Sequence, residues 1–100
     1  MKTVFISIPT KDKLRSEIVT ERAKILARVN EKLGEPVLLI ENDVPSHELY
    51  SQKPLVRLGE SIKRLSDANC AVFGEGWENS RRCSLEHICA ELYGIDILEI

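Results

Sequence analysis

The side chains with chemical reach gather in the second half of the chain and in one short early loop. Cys83 and His87 are four apart with Cys89 close by, a partial set of metal ligands. A structural zinc site takes four ligands and no fourth is spaced to join them, so no metal is expected. Cys70, Cys83 and Cys89 are odd in number and irregular in spacing, which suits no disulfide framework; they read as small buried hydrophobes. The stretch Gly74-Glu75-Gly76-Trp77-Glu78-Asn79 holds two glycines and runs into Ser80. At the amino end of a helix such a loop suits an anion, because the first backbone N–H groups have no partner in the helix. Gly74 and Gly76 let backbone come close to a ligand, Ser80 either caps the helix or donates to a phosphate, and Trp77 either covers the core or stacks on a base. In Pro9-Thr10-Lys11-Asp12-Lys13 the two ammonium groups are either solvated or in contact with phosphate. Neither G-x-G-x-x-G, G-x-x-x-x-G-K-[ST] nor G-x-S-x-G occurs, so the usual dinucleotide, phosphoryl-transfer and serine-hydrolase readings lose their support and no cofactor is expected.

The elements that must position these groups alternate short apolar runs with long amphipathic ones. Residues 3–8 form a β-rich run that stops at Pro9. From Asp12 to about Leu33 the positions Leu14, Ile18, Ala23, Ile25, Leu26, Val29 and Leu33 describe a helix with one core-facing stripe, closed by Gly34. Residues 36–40 are nearly all apolar, as for a strand covered on both faces. The polar segment 42–53 is long for a structureless connection and carries His47 and Tyr50, which either close over a ligand or stand in solvent. Pro54 opens a second helix on Leu55, Leu58, Ile62 and Leu65, ending near Ala68. Residues 69–73 form a third strand, 80–93 a third helix with Leu85, Ile88, Cys89 and Leu92 as its core face, and 95–100 a fourth strand after Gly94. This order predicts a three-layer α/β domain over 1–100, flavodoxin-like or Rossmann-like. It has four parallel strands in the order 2-1-3-4 and three helices. Ligands of such sheets bind beyond the carboxyl ends of the strands at the switch point, between strands one and three. That is where both loops described above fall.

Composition narrows the partners. The chain has 100 residues, 14 Lys+Arg against 16 Asp+Glu, a net charge of −2 and 43% hydrophobic residues. One domain of this size has a radius of gyration of roughly 13 Å and hides only about 60–65% of the surface its unfolded form exposes. The charge argues against a nucleic-acid polymer as partner. The longest apolar run, Val37-Leu38-Leu39-Ile40, falls far short of the roughly 20 residues that span a bilayer, so no membrane partner is expected. Met1-Lys2-Thr3 leads straight into a strand-like run without a signal-peptide core, and the expected location is the cytoplasm.

One stretch carries more. Gly76-Trp77-Glu78-Asn79-Ser80-Arg81-Arg82-Cys83-Ser84-Leu85-Glu86-His87-Ile88-Cys89-Ala90, continued through Tyr93-Gly94-Ile95, follows the pattern G-W-x-x-[AS]-R-G-C-x-[IL]-E-H-x-C-A-x-x-Y-G-I. In this it resembles a family of short phage and bacterial proteins related to nucleoside 2-deoxyribosyltransferases and 2′-deoxynucleoside 5′-monophosphate N-glycosidases. The likeness extends to Lys53-Pro54-Leu55, Leu58-Gly59, Glu21-Arg22 and the Val4-Phe5-Ile6-Ser7 start.

By the residues alone Glu86 is a surface carboxylate on an amphipathic helix. The resemblance implies instead that it is the nucleophile that attacks a sugar C1′, splitting one hard step into two easier ones through an oxocarbenium-like transition state. It also implies that Ser80, six residues earlier, binds a 5′-phosphate, and that Gly76, Trp77, Asn69, Pro9, Thr10 and Lys11 border the ligand. His87 points about 100° away from Glu86 around the helix and is no acid/base partner for it. Two positions depart from the pattern: Arg82 stands where relatives have glycine and either pairs with phosphate or fills the pocket, and Asn69 stands where they have aspartate. After the first strand, Ile8-Pro9-Thr10-Lys11-Asp12-Lys13 replaces Gln-Pro-Met-Arg-Gly-Lys. Two activities are therefore expected as alternatives: cleavage or transfer at the N-glycosidic bond of a nucleotide-type molecule through Glu86, or binding of such a molecule without turnover. Related transferases complete their sites with a neighbouring subunit, so the resemblance also implies a homodimer or higher oligomer.

Overall fold

In a computed structural model, which describes residues 1–40 and 53–100, the apolar run at the start of the chain is strand β1, Lys2–Ser7. Its alternation sends Val4, Ile6 and then Ile8 to one side of the sheet and Phe5 and Ser7 to the other. Helix α1 spans Arg15–Leu33, β2 Val37–Leu39, α2 Pro54–Leu65, β3 Cys70–Phe73, α3 Arg81–Leu92 and β4 Asp96–Ile97, with a 3-10 turn over Trp77–Asn79. The sheet is parallel with strand order β2-β1-β3-β4. Register aligns Val4 with Cys70 and Ser7 with Phe73, so the carboxyl ends of the two central strands finish side by side. The Gly74 N–H then donates to the Ser7 carbonyl at 2.8 Å and extends that ladder by one bond.

The core has two halves because helices cover both faces. Val4, Ile6, Ile8, Cys70 and Val72 pack with Ile25 and Val29 of α1. Phe5 and Ala71 pack with Leu65 of α2 and Ala90 of α3. The radius of gyration is 13.0 Å, the value the chain length predicts. Among the described residues no helix is long and apolar enough to cross a membrane.

Several boundaries are shorter than periodicity suggests, each for a local reason. Helix α1 begins at Arg15, not Asp12, because Asp12 sits at φ 63° in a turn closed by the Lys13 N–H on the Thr10 carbonyl. The Glu17 carboxylate then accepts the Leu14 N–H at 2.9 Å and satisfies one of the first-turn donors. Gly34, at φ 67°, closes the helix by donating to the Asn30 carbonyl. Strand β2 corrects one expectation. It lies at the edge of the sheet; Val37 and Leu39 pack toward α1, while Leu38 is 57% exposed, so the run is not covered on both faces. The core face of α3 is also corrected. Cys83, Glu86 and Ala90 point inward and Cys89, as expected, packs against the cluster of Phe5, Leu65 and Ala90, whereas Leu85, Ile88 and Leu92 are exposed. The polar segment expected over 42–53, with His47 and Tyr50, lies outside the described residues except for Lys53.

Candidate functional site

Three polar side chains are fully or nearly buried among the described residues, Ser7, Ser61 and Glu86, and they meet one another. Each is brought there by its element. Ser7 is the last residue of β1 and shares the face of Phe5. Ser61 lies one turn before the buried Leu65 on the inner side of α2. Glu86 lies one turn before the buried Ala90 on the inner side of α3. The result is a polar tip to the core beneath α2 and α3, at the carboxyl end of the sheet.

Glu86 has no solvent exposure, and its carboxylate is saturated by donors. The Ser7 hydroxyl donates to Oε1 at 2.6 Å, and the Ser61 hydroxyl donates to Oε2. Arg82, one helical turn earlier, places Nη1 3.0 Å from Oε1 and 3.3 Å from Oε2. Its Nη2 donates to the Ile8 carbonyl at 2.6 Å, just past the end of β1. Removing a carboxylate from water costs several kcal/mol even after relaxation. Charge-assisted hydrogen bonds, each worth about 1.5–3 kcal/mol, offset that cost. The Arg82 side chain remains 31% exposed and so bridges the buried carboxylate and solvent.

The two loops at the switch point touch. A methyl added to Gly76 would lie 3.9 Å from Pro9 Cγ, and Gly76 itself sits at φ 84°, a conformation that L side chains rarely adopt. Thr10 and Lys11 are exposed beside them. Glu21 reaches from α1 to this edge, where it pairs with Lys13 at 2.9 Å and packs its carboxylate against Gly74. Ser80 caps α3, its hydroxyl accepting the Cys83 N–H at 3.2 Å. The first-turn amides of Arg81 and Arg82 have no acceptor within the helix.

The aromatic side chains form a separate group. Trp77 and His87 stack with ring centroids 4.0 Å apart and planes 4° apart, and Phe73 tilts against both rings. His87 Nδ1 lies 3.0 Å from the Glu91 carboxylate, and its ring packs against Trp77 and Phe73.

The residues expected at the site are thus partly brought together. Glu86 and Arg82 are in contact, and Gly76, Pro9, Ser80, Thr10 and Lys11 rim the same edge. Asn69 is not among them. It precedes β3 at the amino edge of the sheet, where its side-chain oxygen accepts from the Thr3 N–H at 2.8 Å and the Thr3 hydroxyl at 3.1 Å. Parallel pairing puts the whole length of β3 between Asn69 and Glu86, and its amide ties β1 to β3 at that edge. Trp77 gives one ring face to His87. Arg82 occupies the approach to the carboxylate. Sequence reasoning missed Ser7 and Ser61 as its partners. The available signal was parity: each is a small polar residue at a position whose neighbours in the same period are core residues.

Among the described residues no three His, Cys, Asp or Glu side chains are grouped to hold a metal ion, and the three cysteines are free. In comparison with known proteins, the chain matches no family model and no curated protein.

Proposed function

We propose that this chain acts on the N-glycosidic bond of a nucleotide-type molecule at the carboxyl edge of β1 and β3, with Glu86 as the nucleophile. The single observation that carries this reading is a buried carboxylate at the switch point, held by two serines and an arginine where the hydrophobic core needs no charge. The reading also draws on the resemblance of Gly76–Ile95 to deoxyribosyltransferase relatives.

In the first step a Glu86 oxygen bonds to C1′ as the bond from C1′ to the base nitrogen breaks. The base departs with the bonding electrons and takes up a proton from water. Water then adds at C1′, the ester to Glu86 breaks, the proton goes to solvent and the carboxylate is restored; in transfer, a second base replaces water. Arg82 supplies the counter-charge to Glu86, and Ser7 and Ser61 fix its two oxygens. The capped amino end of α3, with Ser80, suits a 5′-phosphate. For this to occur, substrate must displace Arg82 or a serine from Glu86. Three free thiols and a nucleotide substrate suit a reducing cytoplasm.

The same hydrogen bonds favour a second reading. A carboxylate with both oxygens engaged and no exposure is a poor nucleophile. If the set persists in the complex, the domain binds nucleotides without turning them over. Incubation with a panel of deoxynucleoside 5′-monophosphates, followed by chromatography for free base, separates the two. Base release that disappears in Glu86→Gln supports the glycosidase. Saturable binding without release, in both the natural chain and Arg82→Gly, supports the binding protein. Release that persists in Glu86→Gln overturns the assignment of the nucleophile.

A further inference from the structure

Helix α3 is more apolar on the side that faces away from the protein than on the side that faces in. At 100° per residue, Cys83, Glu86 and Ala90 point into the domain. Leu85, Ile88 and Leu92 fall within a narrow arc on the opposite side, 44%, 48% and 75% exposed. Their spacing of three and then four is that of a helix-pairing seam. Arg81 heads the same stripe one turn before Leu85, and Glu91 flanks it near the far end.

Those charges run against the helix's own dipole. The first turn of α3 carries two arginines and no acid, and its last turn carries no base. A helix prefers the reverse, acids at the amino end and bases at the carboxyl end. A second α3 lying antiparallel across the stripe turns both penalties into attractions. Each arginine-bearing first turn then lies beside the carbonyl end of the other helix and its Glu91. The shapes also match. A shallow depression of about 350 Å³ at the amino end of the stripe is lined by Glu78, Asn79, Ser80, Arg81, Ser84 and Leu85. In an antiparallel pair centred on Ile88, position 92 of one helix falls opposite position 84 of the other, which brings the exposed Leu92 over that depression.

From the seam, the reversed charges and the matching depression, we infer that the outward face of α3 is a self-complementary interface that takes a second copy of this chain, α3 antiparallel to α3 about a two-fold axis at Ile88. Such an isologous contact closes on itself and yields a dimer. Every feature of the face appears twice in it: apolar centre against apolar centre, basic end against acidic end. The depression includes Ser80, which the glycosidic reading assigns to a 5′-phosphate, so the two readings share that residue; association is measured without substrate, and its failure is distinct from a failure to release base.

The test is sedimentation equilibrium or light scattering on the full chain over micromolar to hundreds of micromolar concentrations. The natural protein is expected at twice the 11.3 kDa chain mass. Ile88→Glu sets two carboxylates against each other at the axis and should weaken association at least tenfold, with the helical circular dichroism retained. Should that variant fail to fold, Leu92→Ser, at an exposed position near the helix end, serves the same purpose. Arg81→Glu should also weaken the dimer, and the exchanged pair Arg81→Glu with Glu91→Arg should recover most of the loss. A natural protein that stays at the single-chain mass throughout overturns the inference. So does a folded Ile88→Glu or Leu92→Ser variant that dimerises undiminished, or a charge exchange that restores nothing.

Discussion

Replacing Arg82 by alanine isolates the interaction on which the candidate site rests. Removing one partner of a buried ion pair costs about 3–5 kcal/mol, because the remaining charge is left in a poorly solvated place. Arg82 is 31% exposed, so water can enter where its guanidinium stood and recover part of that loss. The Ile8 carbonyl also loses its donor, worth about 1 kcal/mol before water replaces it. The net expectation is about 2.5 kcal/mol. For a domain of this size that lowers the melting temperature by roughly 10–20 °C, at about 4–8 °C per kcal/mol.

Glu86→Gln removes the charge and keeps the shape. Its amide still accepts at one oxygen, and a serine hydroxyl can rotate to accept from its nitrogen, so about 1–2 kcal/mol is lost. The combined variant leaves no buried charge without a partner. It should therefore be less destabilised than the sum of the single variants by at least about 1 kcal/mol. Urea unfolding followed by circular dichroism, with unchanged slopes, measures all three. A melting temperature of Arg82→Ala within about 2 °C of the natural protein, or additivity within about 0.5 kcal/mol, would refute the view that Arg82 is the counter-ion that keeps Glu86 buried.

Three further outcomes follow from local geometry. In Gly74→Ala the new methyl would come 2.9 Å from Glu21 Oε2 and 3.3 Å from Ile8 Cγ1; the Glu21 carboxylate swings away from Lys13 and Ile8 must yield, at a cost of about 1–2 kcal/mol in thermal unfolding, part of which Glu21→Ala relieves. Burial pushes the Cys70 thiol above its ordinary value of 9.0, with the Asp96 charge adding and Lys2 opposing. The unfolded chain releases that proton first, so the contribution of Cys70 to stability is complete below its unfolded pKa and lost as pH rises toward the folded one. Urea midpoints should fall more steeply above pH 9.0 for the natural protein than for Cys70→Val. Brief alkylation near neutral pH should label the partly exposed Cys89 ahead of the buried Cys70 and Cys83.

The sequence by itself determined the element order, the parallel sheet and its strand order. Those follow from hydrophobic period and the few legal crossovers, which are local or combinatorial constraints. It also determined that the switch point lies between the loops after β1 and β3, and it singled out Glu86 and Arg82 on one helix four residues apart. Only the tertiary structure decided what those two residues do to each other and to the rest of the chain. Ser7, Ser61 and Glu86 are separated by up to 79 positions and share no local pattern; strand parity and helix packing join them at one point. In the sequence reading Asn69 opens the third strand, a position that in a parallel sheet already lies at the edge away from Glu86; the structure adds that its amide ties β1 to β3 there through Thr3. The inward face of α3 was misjudged because hydrophobicity was taken to mark the core. The stronger apolar stripe faces out and the buried face carries a charge, since a carboxylate with enough donors can be held inside while leucines are left for another surface.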